Sequence, residues 1–225
     1  MRAPLSVVIP TKDAEADLPR CLGALWEGMQ AGILREVIVV DGGSTDNTVQ
    51  VADEAGARVL HVAPSRGGQL RAGGAEAKGD WVLFLHADCV LMPGWSDAVI
   101  PRFAARKAGY FRLRFDAPGW SPRIVAGWAN LRARLFGLPY GDQALLLPRR
   151  AYRDSGGYPD IPLMEGVAIV RKLRGELSMI DAGIVTSAAR YQTQGWLRRG
   201  TRNFWILTRY LCGASPEKLA AEYRR

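Results

Sequence analysis

The chain has 225 residues, 48% of them hydrophobic and 23% charged, a balance that supports a sizeable buried core and excludes global disorder. Thirty Lys and Arg against 22 Asp and Glu leave a net charge of +8, which favours anionic partners without choosing among them. Cys21, Cys89 and Cys212 are odd in number and far apart, which predicts reduced thiols in a cytoplasmic protein. No apolar run reaches the ~18 residues that a membrane-spanning helix needs.

The first strand is expected at Leu5–Pro10, so close to the first residue that no signal peptide is predicted. After a polar turn, Leu18–Met29 carries apolar residues at helical spacing. A second strand at Glu36–Val40 leads through GGST into a helix over Thr45–Ala55, with Ser44 or Thr45 as its expected cap. A short strand at Arg58–Val62, a Gly-rich turn SRGG and a helix over Gln69–Lys78 follow, then a strand at Trp81–Leu85 and a helix at Trp95–Arg106. This alternation argues for right-handed crossovers and a largely parallel sheet. Beyond Lys107 the rhythm changes: a half-exposed strand at Tyr110–Phe115, a helix over Val125–Leu135, a strand at Ala144–Leu147, a helix over Leu163–Leu173 and a closing strand at Leu177–Ile180. From Tyr191 the chain turns basic and aromatic, then ends in a short helix begun by Ser215-Pro216. The expected organisation is an α/β domain over residues 1–185 with a helical tail over 186–225.

Two strand ends stand out. VIVVDGGSTD and WVLFLHADC are continuous apolar runs, suited to strands buried on both faces, and each stops at a carboxylate, Asp41 and Asp88. In open α/β sheets ligands bind beyond the carboxyl ends of the strands. Pro10 and Thr11, at the end of the first strand, are placed to line a base or ribose pocket. Asp41 reads as a ligand contact or as a bond to its own turn. SRGGQLRAGG resembles a phosphate-binding loop in composition, with Arg66 and Arg71 as anion partners, but lacks the P-loop and GxGxxG patterns. In HAD, Asp88 is expected to ligate a divalent ion, Mg²⁺ or Mn²⁺, with His86 a weaker ligand, a hydrogen-bond donor or a packed side chain.

In their order and spacing, VVIPTKD, VIVVDGGSTDNT, the Arg66-Gly67 turn and FLHADC resemble a family 2 glycosyltransferase of the GT-A fold. The segment YGDQALLLPRRAYRDSGGYPDIPLMEG (140–166) resembles a small branch of that family sometimes associated with arsenosugar biosynthesis. The resemblance covers about residues 4–190. It implies a Rossmann-like, mostly parallel sheet flanked by helices, and inverting transfer from a nucleotide-diphosphate sugar to an acceptor hydroxyl. It places Pro10, Thr11, Asp13 and Asp41 around the nucleoside, and Asp88 on the metal, with HAD standing for the usual DxD. Relatives carry an Asp directly after a Glu as general base; here Gly166 follows Glu165. Glu165 therefore either takes the role or is only an acid at a helix N-terminus, and Asp142 of GDQ either contacts a substrate or shapes a turn. Loss of the base would leave a nucleotide-sugar-binding protein. A nucleotidyltransferase fits the ordered motifs less well, and no nucleic-acid-binding module accompanies the arginines. In the tail, Leu197, Phe204, Leu207 and Leu211 share one helical face among Arg198, Arg199, Arg202 and Arg209, with Trp196 and Trp205 nearby. That pattern suits packing on the domain with the arginines in solvent, arginines turned to the donor diphosphate, or contact with the inner face of a membrane.

Overall fold

A computed structural model describes residues 3–223. In chain order the elements are β1 (Leu5–Thr11), α1 (Leu18–Ala24), α2 (Trp26–Gln30), β2 (Leu34–Asp41), α3 (Thr48–Glu54), β3 (Arg58–His61), α4 (Arg66–Glu76), β4 (Trp81–Phe84), β5 (Cys89–Leu91) and α5 (Trp95–Ala105). They continue with β6 (Gly109–Phe115), α6 (Trp120–Phe136), a single 3₁₀ turn (Gly141–Gln143), β7 (Leu145–Pro148), α7 (Arg149–Asp154), α8 (Glu165–Lys172), β8 (Ser178–Thr186), α9 (Ala189–Gln194), α10 (Trp196–Leu211) and α11 (Pro216–Tyr223).

One eight-stranded sheet runs in the order β3-β2-β1-β4-β7-β6-β8-β5. The first four strands are mutually parallel, as βαβ crossovers require. β7 is antiparallel to both neighbours, β8 runs parallel to β6, and β5 closes the edge antiparallel to β8. The central strands are apolar on both faces because helices cover both. Val7, Ile9 and Leu83 face one core with Trp95 and Leu25, and Val8, Val40 and Phe84 face a second with Leu70 and Tyr152.

Several expectations shift. The helix expected over Leu18–Met29 breaks at Leu25 into α1 and α2. The Trp95 indole donates to the Ala24 carbonyl at that break, 3.0 Å away, satisfying one of the carbonyls a helix end leaves open. The helix over 125–135 begins earlier, at Trp120, because Pro122 falls in the first turn, where a missing N–H costs nothing. β8 runs on to Thr186 through Asp181 and Gly183, residues that do not look like strand. Gly183 lets Met92 pack closely, since a Cβ would lie 2.5 Å from Met92 Sδ and displace that side chain.

SRGG is the start of a helix rather than a free turn. α4 starts at Arg66, and its glycines serve close packing: a Cβ on Gly67 would lie 2.3 Å from the Pro159 carbonyl, and one on Gly73 the same distance from Val8. Gly74 likewise makes room for the Tyr152 ring. Four glycines in eleven residues weaken the helix intrinsically, and packing against the sheet holds it instead.

Candidate active site

The loops after β1 and β2 interlock through their carboxylates. Asp13, held at φ 49°, accepts from the Thr45 amide (2.8 Å) and hydroxyl (3.2 Å), and its own amide donates to Ser44 Oγ (2.9 Å). Asp46 accepts from the Glu15 amide, and Glu15 from the Asn47 amide. Neither Ser44 nor Thr45 caps α3, because their hydroxyls are turned to Asp41 and Asp13; Asp46 accepts from the Thr48 amide instead.

Asp41 is buried at 2% exposure. Its carboxylate accepts from the Gly43 amide (2.9 Å) and the Ser44 amide and hydroxyl, with Thr11 Oγ1 and His61 at longer range. Burial pushes its pKa up, but the Ser44 hydroxyl, the two amides and His61 outweigh it, and the net shift is downward. Asp41 thus anchors its own turn, and it is not among the residues lining the two cavities described below. Gln69, which the sequence reading passed over, lies buried between the ends of β1 and β2. Its amide nitrogen donates to the carbonyls of Thr11 (2.7 Å) and Val40 (2.8 Å).

Two cavities meet at the carboxyl end of β4. The first, about 510 Å³, is lined by Pro10, Asp13, Ser65 and Gln69. The second, about 180 Å³, is lined by Asp142, Glu165, Gly166, Tyr191, Arg199 and Tyr223 among others. Arg66, His86, Asp88 and Arg190 line both. The structure therefore brings together Pro10, Asp13, Arg66, His86, Asp88, Asp142 and Glu165. Thr11 is buried and Arg71 is exposed on α4, and neither lines a cavity.

The bend after β4 places ligand atoms of His86, Asp88 and Cys89 within 4.8 Å of one another. Burial, reinforced by Arg66 and opposed by Asp88, lowers the His86 pKa to about 4, so its imidazole is neutral at pH 7. Burial and the charge of Asp88 raise the Cys89 thiol well above its usual value, and it bonds to Thr186 Oγ1 at 3.5 Å. Cys89 is fully buried and lines neither cavity, so the donors facing the cavities are the Asp88 carboxylate and the His86 imidazole, chemistry that fits a divalent cation.

The 3₁₀ turn comes up against this bend. A Cβ on Gly141 would lie 2.4 Å from His86 Nε2, so only glycine lets GDQ approach. Gln143 is fully buried, its amide reaching the Phe111 carbonyl and Asn130 Oδ1 at 3.3 Å, which fixes the turn. Asp142 Oδ1 is buried without a partner. Burial raises the Asp142 pKa to about 6, against the pull of Arg132 and with the push of Asp88. Glu165, 8% exposed, opens α8 after Met164, itself left-handed at φ 69°. A Cβ on Gly166 would meet only the Gly141 amide nitrogen, at 3.7 Å, so the position has room for a side chain.

The tail packs on the domain, one of the arrangements its pattern suits, and supplies a wall of the second cavity. Arg199, 9% exposed, donates to Gln194 Oε1 (2.7 Å) and Tyr223 Oη (2.8 Å). Tyr191 stacks on Trp196, and both pack edge-on to Phe115. The only signal for this was the density of arginine and aromatic residues after Tyr191, which says nothing of where they point.

Among curated proteins, the chain is 36% identical over 96 residues to a PGL/p-HBAD biosynthesis glycosyltransferase of Mycobacterium tuberculosis, covering 39% of this chain and 37% of that one. It is 37% identical over 103 residues to an uncharacterized glycosyltransferase of Rickettsia typhi, covering 45% and 33%. The chain thus spans roughly a third of the length of these relatives; a TPR repeat-containing protein of Synechococcus elongatus is matched over 23% of its own length. Of solved structures, Staphylococcus aureus TarS 1–349 in complex with UDP-GlcNAc superposes with a TM-score of 0.64 at 16% identity, over 82% of this chain and 58% of that one. Glucosyl-3-phosphoglycerate synthase from Mycobacterium tuberculosis, with Mn²⁺, UDP and glucosyl-3-phosphoglycerate, does so at 0.59 and 23%, over 80% and 70%. These likenesses establish the GT-A fold. The description Glycosyl transferase family 2 matches residues 6–135, more than half of the chain. With its parallel strands ending in paired cavities at HAD, the chain belongs to glycosyl transferase family 2.

Proposed function

We propose that the chain transfers a sugar from a nucleotide-diphosphate donor to an acceptor hydroxyl, with inversion. The observation that carries this reading is the junction of two cavities at Arg66, His86, Asp88 and Arg190. One cavity belongs to the strand-end loops, and the other to two carboxylates and the tail. A donor in the first would present its diphosphate to the arginines at the junction and its sugar to the second. Pro10, Asp13 and Gln69 line the nucleoside end, and the Thr11 carbonyl holds Gln69. Asp41 contributes by holding the Gly42-Gly43 turn rather than by contact, and Arg71 stands outside the site.

Asp88 and His86 would hold a divalent cation, a set that suits Mn²⁺ better than Mg²⁺ because one donor is an imidazole. When bound, such an ion stabilises the charge that develops on the leaving diphosphate. Arg66 and Arg190 do the same from the protein side, as fixed cations at the junction. Glu165 and Asp142 are the bases available to the acceptor hydroxyl. Asp142, with one oxygen unpartnered, is free to accept a hydrogen bond from it. The branch resemblance rests on GDQ and the segment to Gly166, and names no acceptor.

Thermal shift with UDP-sugars, with and without Mn²⁺, followed by detection of released nucleotide, tests the reading. Ligand bound only by the native state raises the melting temperature. A shift that needs Mn²⁺, lost in Asp88→Ala, is expected; absence of any nucleotide-sugar shift would overturn donor binding. A second reading rests on Gly166: the chain binds its donor but turns it over poorly for want of a base. Donor-dependent shift without detectable transfer or hydrolysis would favour it.

A further inference from the structure

α6 and α10 carry an apolar surface that neither cavity uses. On α6, Trp120, Ile124, Trp128, Leu131 and Leu135 recur at spacings of four and three and form one outward stripe. On α10, Leu197, Phe204, Trp205 and Leu211 face outward, while Arg199, Ile206 and Leu207 face inward. Ten of the thirteen exposed large apolar side chains among the described residues lie on these two helices, with Trp120 at 78% and Leu197 at 82%. The stripes are continuous, because the Trp128 and Phe204 rings meet edge to face with centroids 6.2 Å apart. Scattered surface apolar residues need no explanation, but a contiguous patch of this kind marks an interaction surface.

The charge pattern says what kind. No Asp or Glu occurs from Ala117 to Gly141, or from Ala182 to Pro216, the stretches that contain the two helices. Of their eight arginines, Arg190 lines both cavities, Arg132 and Arg199 are buried, and Arg202 and Arg209 bond to Glu222 of α11, which leaves three. Arg123, Arg134 and Arg198 are exposed on the same helices as the apolar stripes. Tryptophan and leucine bordered by arginine, with no acid, is the composition of an element lying in the plane of an anionic membrane.

We propose that the outer faces of α6 and α10 form one docking surface for an anionic lipid bilayer. The apolar stripes enter the headgroup boundary, and Arg123, Arg134 and Arg198 pair with lipid phosphates. α10 then serves two environments: its inner side supplies Arg199, Asn203 and Ile206 to the acceptor-side cavity, and its outer side rests on the membrane. No described helix is long and apolar enough to cross a bilayer. The proposal stands on the outer surface alone and does not depend on the transfer reaction.

Vesicle flotation of the 225-residue chain tests it, using phosphatidylcholine vesicles with and without about 30% phosphatidylglycerol. Binding is expected on the anionic vesicles, at least about tenfold weaker on neutral ones and weakened by salt. Ile124→Gln with Leu135→Gln should lower partitioning about tenfold or more, and Arg123→Glu with Arg134→Glu should remove the preference for anionic lipid. All four positions are exposed, so the melting temperature of each variant checks that the fold is intact. No binding to anionic vesicles, or undiminished binding by both folded variants, would overturn the proposal. A dimer in sedimentation equilibrium that dissociates with Ile124→Gln and Leu135→Gln would overturn it too, by assigning the face to a second copy of the chain.

Discussion

Under the proposed transfer reaction, Gly166 is the residue that decides between turnover and donor binding alone. Its φ is not left-handed, and a Cβ there meets nothing closer than 3.7 Å, so Gly166→Asp introduces a carboxylate beside Glu165 without a backbone clash. If the chain lacks an adequate base, this variant should raise kcat by about 10²-fold or more with donor affinity unchanged. If Glu165 or Asp142 already serves, kcat should stay within a few-fold, and Glu165→Gln or Asp142→Asn should lower it far more than donor binding. Single-turnover kinetics separates the cases. Gly141 carries the opposite expectation. A Cβ 2.4 Å from His86 Nε2 forces either the imidazole or the GDQ turn to move. Gly141→Ala should therefore weaken Mn²⁺-dependent nucleotide binding and destabilise the fold by about 1–3 kcal/mol, measurable by titration and denaturant unfolding. Unchanged metal dependence with a destabilised fold would show that the GDQ turn moves and the imidazole stays in place. The HAD and GDQ motifs were legible as motifs; their contact was not, because it joins residues 55 positions apart.

At the scale of elements, α5 is started by a residue of another helix. Glu27, in α2, accepts from the Gly94 amide (2.9 Å) and from the Ser96 amide and hydroxyl (2.7 Å each). Burial raises its pKa, but the Ser96 hydroxyl and the Ser96 and Gly94 amides lower it further, and the net shift is downward. A carboxyl whose folded pKa is depressed adds stability that is fully present above its unfolded value near 4.5 and is lost as pH falls through the folded value. Glu27→Ala should cost about 1 kcal/mol at pH 7, as for loss of a helix cap, and the difference from the parent chain should shrink below about pH 4. Urea unfolding at both pH values checks this; a difference that persists in acid would point to lost packing instead. The strand-helix alternation to residue 106 was readable because each element there is local and periodic. β5 was missed because three residues carry no period, and β8 was cut short because Asp181 and Gly183 interrupt the apolar pattern that β6 completes by pairing.

The molecule as a whole is assembled across its ends. Arg199, Arg202 and Arg209 of α10 are held by Glu222 and Tyr223 of α11, and Arg199 and Tyr223 line the cavity that also contains Asp142. Truncation after Ala214 removes α11 and leaves Arg199 partly unpaired. It should lower the melting temperature by several degrees, and raise the acceptor KM more than the donor KM. Equal effects on both substrates would show that α11 supports the fold without shaping the acceptor side.

The parallel strands, their carboxylate ends and the family resemblance belong to the sequence itself, since a doubly buried strand and the turn beyond it are specified by neighbouring residues. The roles of those carboxylates were decided by tertiary structure. Asp41 turned inward to its own loop, whereas Asp88 was left facing two cavities. The second cavity, its tail wall and the apolar face of α6 with α10 depend on which side of each helix was buried. α10 is apolar on two sides, so periodicity alone did not choose; packing of Arg199, Ile206 and Leu207 inward left Phe204 and Trp205 outside.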